Sequence, residues 1–373
     1  MSQTQIGTIT QSKTVKIPLY TQALETTHEL DWADLATLDL SKFESTDGKQ
    51  ELATQLHNAI DQIGFFYITN FGLSQEEVDH QFAIGKEFFS LSTEEKLKYR
   101  ADVENGRYNG YKPLGHREIA PGQFDNTEIY NIPKFTTQYE IPHPTLIKEN
   151  WPEIEKFGRH IDDEIVSKLL VLFAIILELP EDFFLKSHRY DEKSDTHLRY
   201  MKYHTRTKEE NEHLGNVWVK GHTDFGSLTL LFRQPIASLQ VRTPQETWKY
   251  VKPYPSSITV NIADSLSFLT NGYLKSSIHR VIAPPPDQAH LDRYGVLYFV
   301  RPEDDLILKP IPSPLLERLG LLKDDPEAGP ELTAGEWVRA RVQKNVNKLG
   351  SSQSMGDDQD QEIFKGIKAP YYD

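Results

Sequence analysis

The sequence contains no cysteine. That absence removes disulfides, zinc–cysteine sites, iron–sulfur clusters and thiol nucleophiles together. Any metal must therefore be held by His, Asp or Glu. Basic residues are in deficit, with 41 Lys and Arg against 55 Asp and Glu, a formal charge of −14. Nonspecific binding to nucleic acid or to an anionic membrane needs a net basic face, so neither is an expected partner. Long apolar runs are lacking too. The most apolar stretch, 165–179 (IVSKLLVLFAIILEL), carries Lys168 and Glu178 and is shorter than a bilayer requires. It reads as a buried helix. Residues 1–20 are polar and threonine-rich, without the apolar centre of an export signal. A soluble, cytoplasmic protein is the expectation. Also missing are G-x-G-x-x-G, Walker A, G-x-S-x-G and H-E-x-x-H sequences, so nucleotide-dependent, serine-hydrolase and zincin chemistry lose their usual handles.

What is present divides the chain. Residues 1–30 lack periodicity and are expected to form a flexible arm. Apolar clusters at 35–40 and 64–68 read as strands flanking a helix near 49–63, where Leu52, Leu56 and Ile60 recur four apart. Residues 74–89 read as a helix opened by Ser74, with Glu77 completing a capping box. Residues 100–145 are rich in Gly, Pro, Asn and Tyr and show little periodicity. A stretch of that length without an element is expected to serve function, as a rim over a site. Residues 151–179 are expected to be helical throughout. From about 197 to 301 short alternating runs follow one another, at 216–219, 227–232, 239–242, 258–262 and 294–300. That is the pattern of a β-sandwich or barrel. Residues 313–323 and 335–346 read as closing helices, and the tail from 351 is polar. The expected organisation is an arm (1–30), a helical region (31–190), a mainly β core with a closing helix (191–350) and a tail (351–373).

With thiols excluded, the chemistry-bearing motif is H-x-D, which occurs as His160/Asp162, His222/Asp224 and His290/Asp292. Geometry separates the three. In a helix, positions i and i+2 point about 200° apart, so His160 and Asp162 cannot easily share a metal. His290/Asp292 sits in a proline-rich connection with no histidine after it. His222/Asp224 lies at the edge of strand-like sequence (NVWVKGHTDFGSLTLLF), where i and i+2 face the same way. His279, in SSIHRVIAP, offers a third ligand. Two His and one carboxylate form the facial triad of non-haem Fe(II) oxygenases, which leaves three coordination positions open. The alternative is a pair of structural, hydrogen-bonded histidines. Downstream, Arg293 opens the alternating run RYGVLYFV. Arg293, Gly295, Leu297 and Phe299 share one face, and the guanidinium fork suits a carboxylate. A surface ion pair is its ordinary fate.

These fragments, in this order, resemble the 2-oxoglutarate/Fe(II)-dependent dioxygenases, in the branch that includes isopenicillin N synthase and the plant flavonoid and gibberellin oxygenases. The resemblance runs through ATLDLSKF, IGFFYITNFGL, FFSLSTEEK and NGY, then GHTDFGSLTLLF, SITVNIADSLSFLTNGYLKSSIHRV and RYGVLYFV. It implies a distorted double-stranded β-helix, or jelly roll, behind a helical N-terminal region. It also implies an enzyme that decarboxylates 2-oxoglutarate to succinate while oxidising a C–H bond of a small molecule of secondary metabolism. Hydroxylation, desaturation and ring formation all belong to that chemistry, and ascorbate commonly supports it. The resemblance assigns His222, Asp224 and His279 to the metal and Arg293 to the distal carboxylate of 2-oxoglutarate, with Tyr203 beside it. It fails at Gly295, where the family has serine. A hydroxyl donor to the cosubstrate is missing there, so an oxidase of the same fold that needs no oxo acid stays open. A non-catalytic metal- or ligand-binding jelly roll is the alternative of another class.

The substrate pocket is expected among Tyr108, Tyr111, Lys112, His116 and Tyr130 of the poorly periodic stretch, with Phe225 beside the triad and Phe299 and Arg301 at the end of the arginine strand. An aromatic-rich lining suits an apolar or aromatic molecule. Lys112, His116 and Arg301 are the candidates to hold a substrate carboxylate.

Overall fold

The computed structural model describes residues 17–322, 331–347, 361–364 and 367–369. Two sheets face each other. The larger has eight strands, in the order Thr37–Asp39, Phe65–Thr69, Ile258–Ile262, Leu228–Phe232, Arg293–Val300, His197–Tyr203, Thr127–Pro133 and Gly110–Lys112. The smaller has four, in the order Trp248–Tyr250, Leu239–Arg242, His279–Ile282 and Val217–His222. Every pairing in the two is antiparallel except the first, between Thr37–Asp39 and Phe65–Thr69. Phe65, Tyr67 and Tyr203 of the large sheet meet Trp218, Leu239, Val241 and Val281 of the small one. The result is a mainly β core of the double-stranded β-helix type with flanking helices.

Period-two alternation decides what faces this interior. On Arg293–Val300, the side chains of Val296, Tyr298 and Val300 enter the core beneath the helices. Arg293, Gly295, Leu297 and Phe299 therefore face inward. The neighbouring strand sends Leu198 and Tyr200 outward to that core, so His197, Arg199, Met201 and Tyr203 face inward. By the same rule Thr229 and Asn261 face inward, between outward Leu228, Leu230, Val260 and Ile262.

Helices cover the outer face of the large sheet. Gly48–Gln62 buries Leu52, Leu56 and Ile60 as their spacing predicts. Gln75–Ser90 opens with the predicted capping box: Ser74 Oγ accepts from Glu77 N at 3.2 Å, and Glu77 Oε2 accepts from Ser74 N at 3.0 Å. Its Phe88 stacks on Tyr130 at 4.1 Å. Fully burying such a side chain contributes about 1.5–3 kcal/mol.

Four expectations change. The stretch 100–145 is not bare loop, because Thr127–Pro133 is a seven-residue strand inside the large sheet. Its periodicity was hidden because both faces are largely buried and each mixes polar with apolar residues, Thr127, Ile129, Asn131 and Pro133 inward and Glu128, Tyr130 and Ile132 outward. The long helix is not uniform. Trp151–His160 passes through a π-turn, Ile161–Val166, into Ser167–Ile176, and Glu178 at φ 56° follows its end. Within the closing segment 313–323 the helix is only Pro314–Arg318, and Lys323 lies outside the described residues. Of the expected arm, residues 1–16 also lie outside them. From Ile17 the chain lies against the body: Gln22 bonds Asp79, and Thr26 bonds Asp287. In the tail, 351–360 lie outside the described residues, and Gln361–Phe364 pairs with Ile367–Ala369. Among the described residues no helix is long and apolar enough to cross a membrane.

Candidate active site

His222 ends the strand Val217–His222, and His279 opens its antiparallel neighbour directly opposite. Asp224 lies in the turn just beyond. The rings of His222 and His279 are 4.3 Å apart, and one ligand atom from each of the three residues lies within 4.8 Å of the others. His222 Nδ1 donates to the Lys220 carbonyl at 2.9 Å, and His279 Nδ1 to the Ser277 carbonyl at 3.1 Å. A carbonyl only accepts, so each Nδ1 carries the proton and each Nε2 keeps its lone pair. Those lone pairs face Asp224, with His222 Nε2 4.0 Å from Oδ1 and His279 Nε2 3.8 Å from Oδ2. Both separations are too long for a hydrogen bond. Three lone-pair donors thus converge with no proton shared between them, a donor set that fits a divalent cation.

Inward-facing neighbours hold the carboxylate. Asp224 Oδ2 accepts from Thr229 Oγ1 at 2.7 Å and from Asn261 Nδ2 at 3.0 Å. Burial would raise its pKa, but the adjacent His279 and His222 and these two bonds outweigh it, so the carboxyl stays well below its usual range. Burial, then the neighbouring His279, lowers His222 to about 4, so its imidazole is neutral at pH 7. From the C-terminal helix, Arg341 bonds Asp264 Oδ2 at 3.0 Å and the Thr223 carbonyl at 3.1 Å. This ties down the turn that carries Asp224. Asn261→Ala is expected to weaken divalent-metal binding by about 10–100-fold, measured by titrating the apo protein with Mn(II). An unchanged affinity would remove Asn261 from the site's support.

At the other end of the same inner face, Arg293 sits opposite Tyr203 in register. Its guanidinium is 5.1 Å from the centre of the Tyr203 ring. Arg293 is 3 % exposed, and its Nε has no hydrogen-bond partner. Tyr203 is the guanidinium's side-chain hydrogen-bond partner. A buried guanidinium with no counter-charge beside it is costly, and a carboxylate is its natural complement. Gly295 lies on the same face. A Cβ there would come 3.2 Å from Leu297 Cδ1 and 3.9 Å from Met201 Cβ, so a small side chain fits if Leu297 gives slightly.

The other two H-x-D pairs are structural. His160 Nε2 bonds the Phe71 carbonyl, and Asp162 accepts from Tyr298. Asp292 accepts from Thr205 N and pairs with Lys202 at 2.9 Å.

Of the expected lining residues, the structure brings four toward the metal end. Phe225 follows Asp224 and lies under Arg341, 4.4 Å from its guanidinium. Phe299 stacks on His197 at 4.9 Å, Tyr108 meets the same His197 edge-on at 5.5 Å, and Arg301 stands over Phe225 at 5.3 Å. Tyr111, Tyr130 and Lys112 need correction. Tyr111 and Tyr130 point to the opposite side of the sheet, into the core beneath the helices. Lys112 faces inward but is consumed by an ion pair with Asp125 and a 2.8 Å bond to the Thr127 carbonyl. His116, in the turn beyond, has no hydrogen bond, ion pair or ring contact to the triad. Sequence reasoning missed Asn131, His197, Arg199, Thr229, Asn261 and Arg341. For His197 and Arg199 the signal was available: HLRYMKY alternates, and both share a face with Tyr203.

A double-stranded β-helix with a His–Asp–His donor set at its rim and a buried arginine at its floor has the architecture of the non-haem iron oxygenases. Sequence comparison gives the family. Residues 35–154 match the model for the non-haem dioxygenase in morphine synthesis N-terminal region, and residues 188–302 that for the 2OG-Fe(II) oxygenase superfamily. A 2-oxoglutarate-dependent dioxygenase of Glarea lozoyensis is 30% identical over 74% of this chain and 82% of its own length. A UPF0676 protein of Schizosaccharomyces pombe is 32% identical over 83% and 92%. In fold, the chain is similar to a full-length Neurospora crassa protein solved in complex with alpha-KG and 5-formyluracil, with TM-score 0.72, 23% identity and coverage of 85% of this chain and 100% of that one. The chain belongs to the 2OG-Fe(II) oxygenase superfamily. It is an enzyme that uses Fe(II) and 2-oxoglutarate.

Proposed function

We propose that His222, Asp224 and His279 hold the iron, that Arg293 with Tyr203 takes the distal carboxylate of 2-oxoglutarate, and that the substrate is a small molecule of secondary metabolism. The observation that carries the reading is the convergence of three possible metal donors on one side of the barrel, with a buried arginine whose Nε has no hydrogen-bond partner at its floor. When bound, iron with 2-oxoglutarate and O₂ converts R–H to R–OH, with succinate and CO₂ as the other products.

The protein's part is binding, orientation and dryness. The Lys220 and Ser277 carbonyls fix both imidazole tautomers, so each Nε2 is always ready to bind metal. Thr229 and Asn261 orient the carboxylate. Arg293 binds both oxygens of a carboxylate in a site that water does not screen. Phe65 packs edge-on against His279 at 5.5 Å and walls off that side. No protein group has to move a proton in this scheme, and ascorbate is proposed to support turnover by keeping iron reduced.

The test is a screen of candidate small molecules for succinate formed from 2-oxoglutarate, with product identified by mass. Substrate oxidation without succinate would refute the reading. A second test addresses the floor. Gly295→Ser is expected to tighten 2-oxoglutarate binding by roughly tenfold, as a hydrogen bond to a charged group would. Calorimetry on Mn(II)-loaded protein measures this. Unchanged or weaker binding would count against Arg293 as the carboxylate's partner.

A further inference from the structure

Two more arginines lie on the inward face, near the metal end, and neither is paired. Arg199 is 6 % exposed and Arg301 is 4 % exposed. Among the described residues neither has a carboxylate within ion-pair distance. By contrast Arg341, the other buried arginine beside them, is paired with Asp264 at 3.0 Å. The acidic group whose field acts most on Arg301 is Asp195, which forms no ion pair with it.

The two guanidiniums are built in. Arg199 lies between Phe299, 4.3 Å away, and Tyr108, 4.9 Å away. Its Nε donates to Asn131 Oδ1 at 2.8 Å. Its Nη2 lies 3.3 Å from His197 Nε2, while His197 Nδ1 donates to the Asp195 carbonyl. His197 is therefore the Nδ1–H tautomer and accepts from Arg199. That fixes the guanidinium and leaves its remaining N–H donors free. Arg301 stands over Phe225 and Phe299, 5.3 Å and 5.5 Å away, with no hydrogen bond to its buried Nε. Its side chain runs beside Gly226, where an added Cβ would collide first with the Val300 carbonyl oxygen and then with Arg301 Cδ at 2.7 Å and Nη1 at 2.8 Å. Phe299 touches both cations. A cavity of about 720 Å³ lies beside Tyr108 and Asp195, and its lining includes neither arginine.

Two buried, aligned and unpaired cations repel each other and cost stability. An anion between them removes both penalties. We infer that Arg199 and Arg301 form the substrate's anion site, and that the substrate is a carboxylic acid with an apolar or aromatic body. This rests on the oxygenase reading of the metal end and adds to it the class of molecule oxidised. Of the three candidates for holding a substrate carboxylate, it selects Arg301, pairs it with the unforeseen Arg199, and drops Lys112 and His116.

The test needs no turnover. Phenylacetate, 3-phenylpropionate and the straight-chain carboxylates from butyrate to octanoate, each beside its primary amide, are titrated calorimetrically into apo protein. Acids are expected to bind and amides to bind at least about tenfold more weakly. Arg301→Met and Arg199→Gln should each lose about tenfold or more for the acids. Acids binding no better than amides would overturn the inference. Loss confined to Arg293→Gln would also overturn it, while leaving the cosubstrate assignment intact. Thermal unfolding gives an independent readout. Removing an uncompensated buried charge should raise the apo melting temperature of Arg301→Met by about 2 °C or more. A lowered melting temperature would make Arg301 a structural member and contradict the proposal.

Discussion

His279→Ala is expected to abolish iron-dependent turnover, a loss exceeding about 100-fold. The scale follows from outer-shell groups, whose removal already costs about 10–100-fold in metal affinity or activity; removing a donor itself must cost more. The fold should survive. His279 begins a strand that stays paired without its ring, Val281 with Leu239 and Arg280 with Gln240, the latter pair also joined by a 2.8 Å bond from Arg280 Nε to Gln240 Oε1. The lost ring leaves space beside Phe65 and His222 and takes one donor from the Ser277 carbonyl, a cost of about 1–3 kcal/mol that the fold can bear. Metal content and succinate release are the readouts, with circular dichroism as the check on folding. Turnover retained by a folded variant would remove His279 from the donor set.

Glu128→Ala is expected to cost about 3–5 kcal/mol of stability, the ordinary cost of breaking a buried ion pair. Lys96 donates to Glu128 Oε1 at 2.6 Å and His204 Nε2 lies 2.7 Å from Oε2, while Tyr111 donates to Oε1. Side-chain exposure of the Lys96–Glu128 pair is 5 % and 4 %. Truncating the acid strands a buried ammonium. Removing both charges, in Lys96→Met with Glu128→Leu, should restore most of the loss. Burial raises the Glu128 pKa, but the bonds from His204, Lys96 and Tyr111 outweigh it and bring it to about 2 from 4.5. A carboxyl lowered on folding stabilises fully above its unfolded pKa. Its contribution is therefore complete above pH 4.5 and fades as pH falls toward 2. Urea denaturation at pH 7 and pH 3 checks both points. A Glu128→Ala variant as stable as the parent would show the cluster to be dispensable.

That cluster also explains a failed reading. Tyr111 and Tyr130 looked like pocket aromatics because they stood in sequence without periodicity. Tyr111 instead serves Glu128, and Tyr130 stacks on Phe88 and bonds His143. A hydrophobic pattern could not show the strand, because Thr127–Pro133 is largely buried on both faces and each face mixes polar with apolar residues. The three proposed metal donors were legible for the opposite reason. His222 and Asp224 stand two apart at a strand end, and His279 begins a strand with its own apolar alternation, so chemistry and period coincided. Arg293, Gly295 and Phe299 were likewise placed on the right face by alternation alone. Arg199 was legible only through its register with Arg293–Val300, which pairs it with Leu297. Pairing across strands is not written in either strand alone. The same holds for Asn261, whose polar side chain reads as an exposed position until the small sheet closes over it.

The most direct measurement is the stoichiometry of 2-oxoglutarate oxidation. With iron-loaded protein, ascorbate and an oxidisable carboxylic acid found by the screen, one succinate should form for each molecule of hydroxylated product, and the Arg293→Gln variant should require far more 2-oxoglutarate. Product formed with no succinate, or at a 2-oxoglutarate requirement unchanged in Arg293→Gln, would contradict the account.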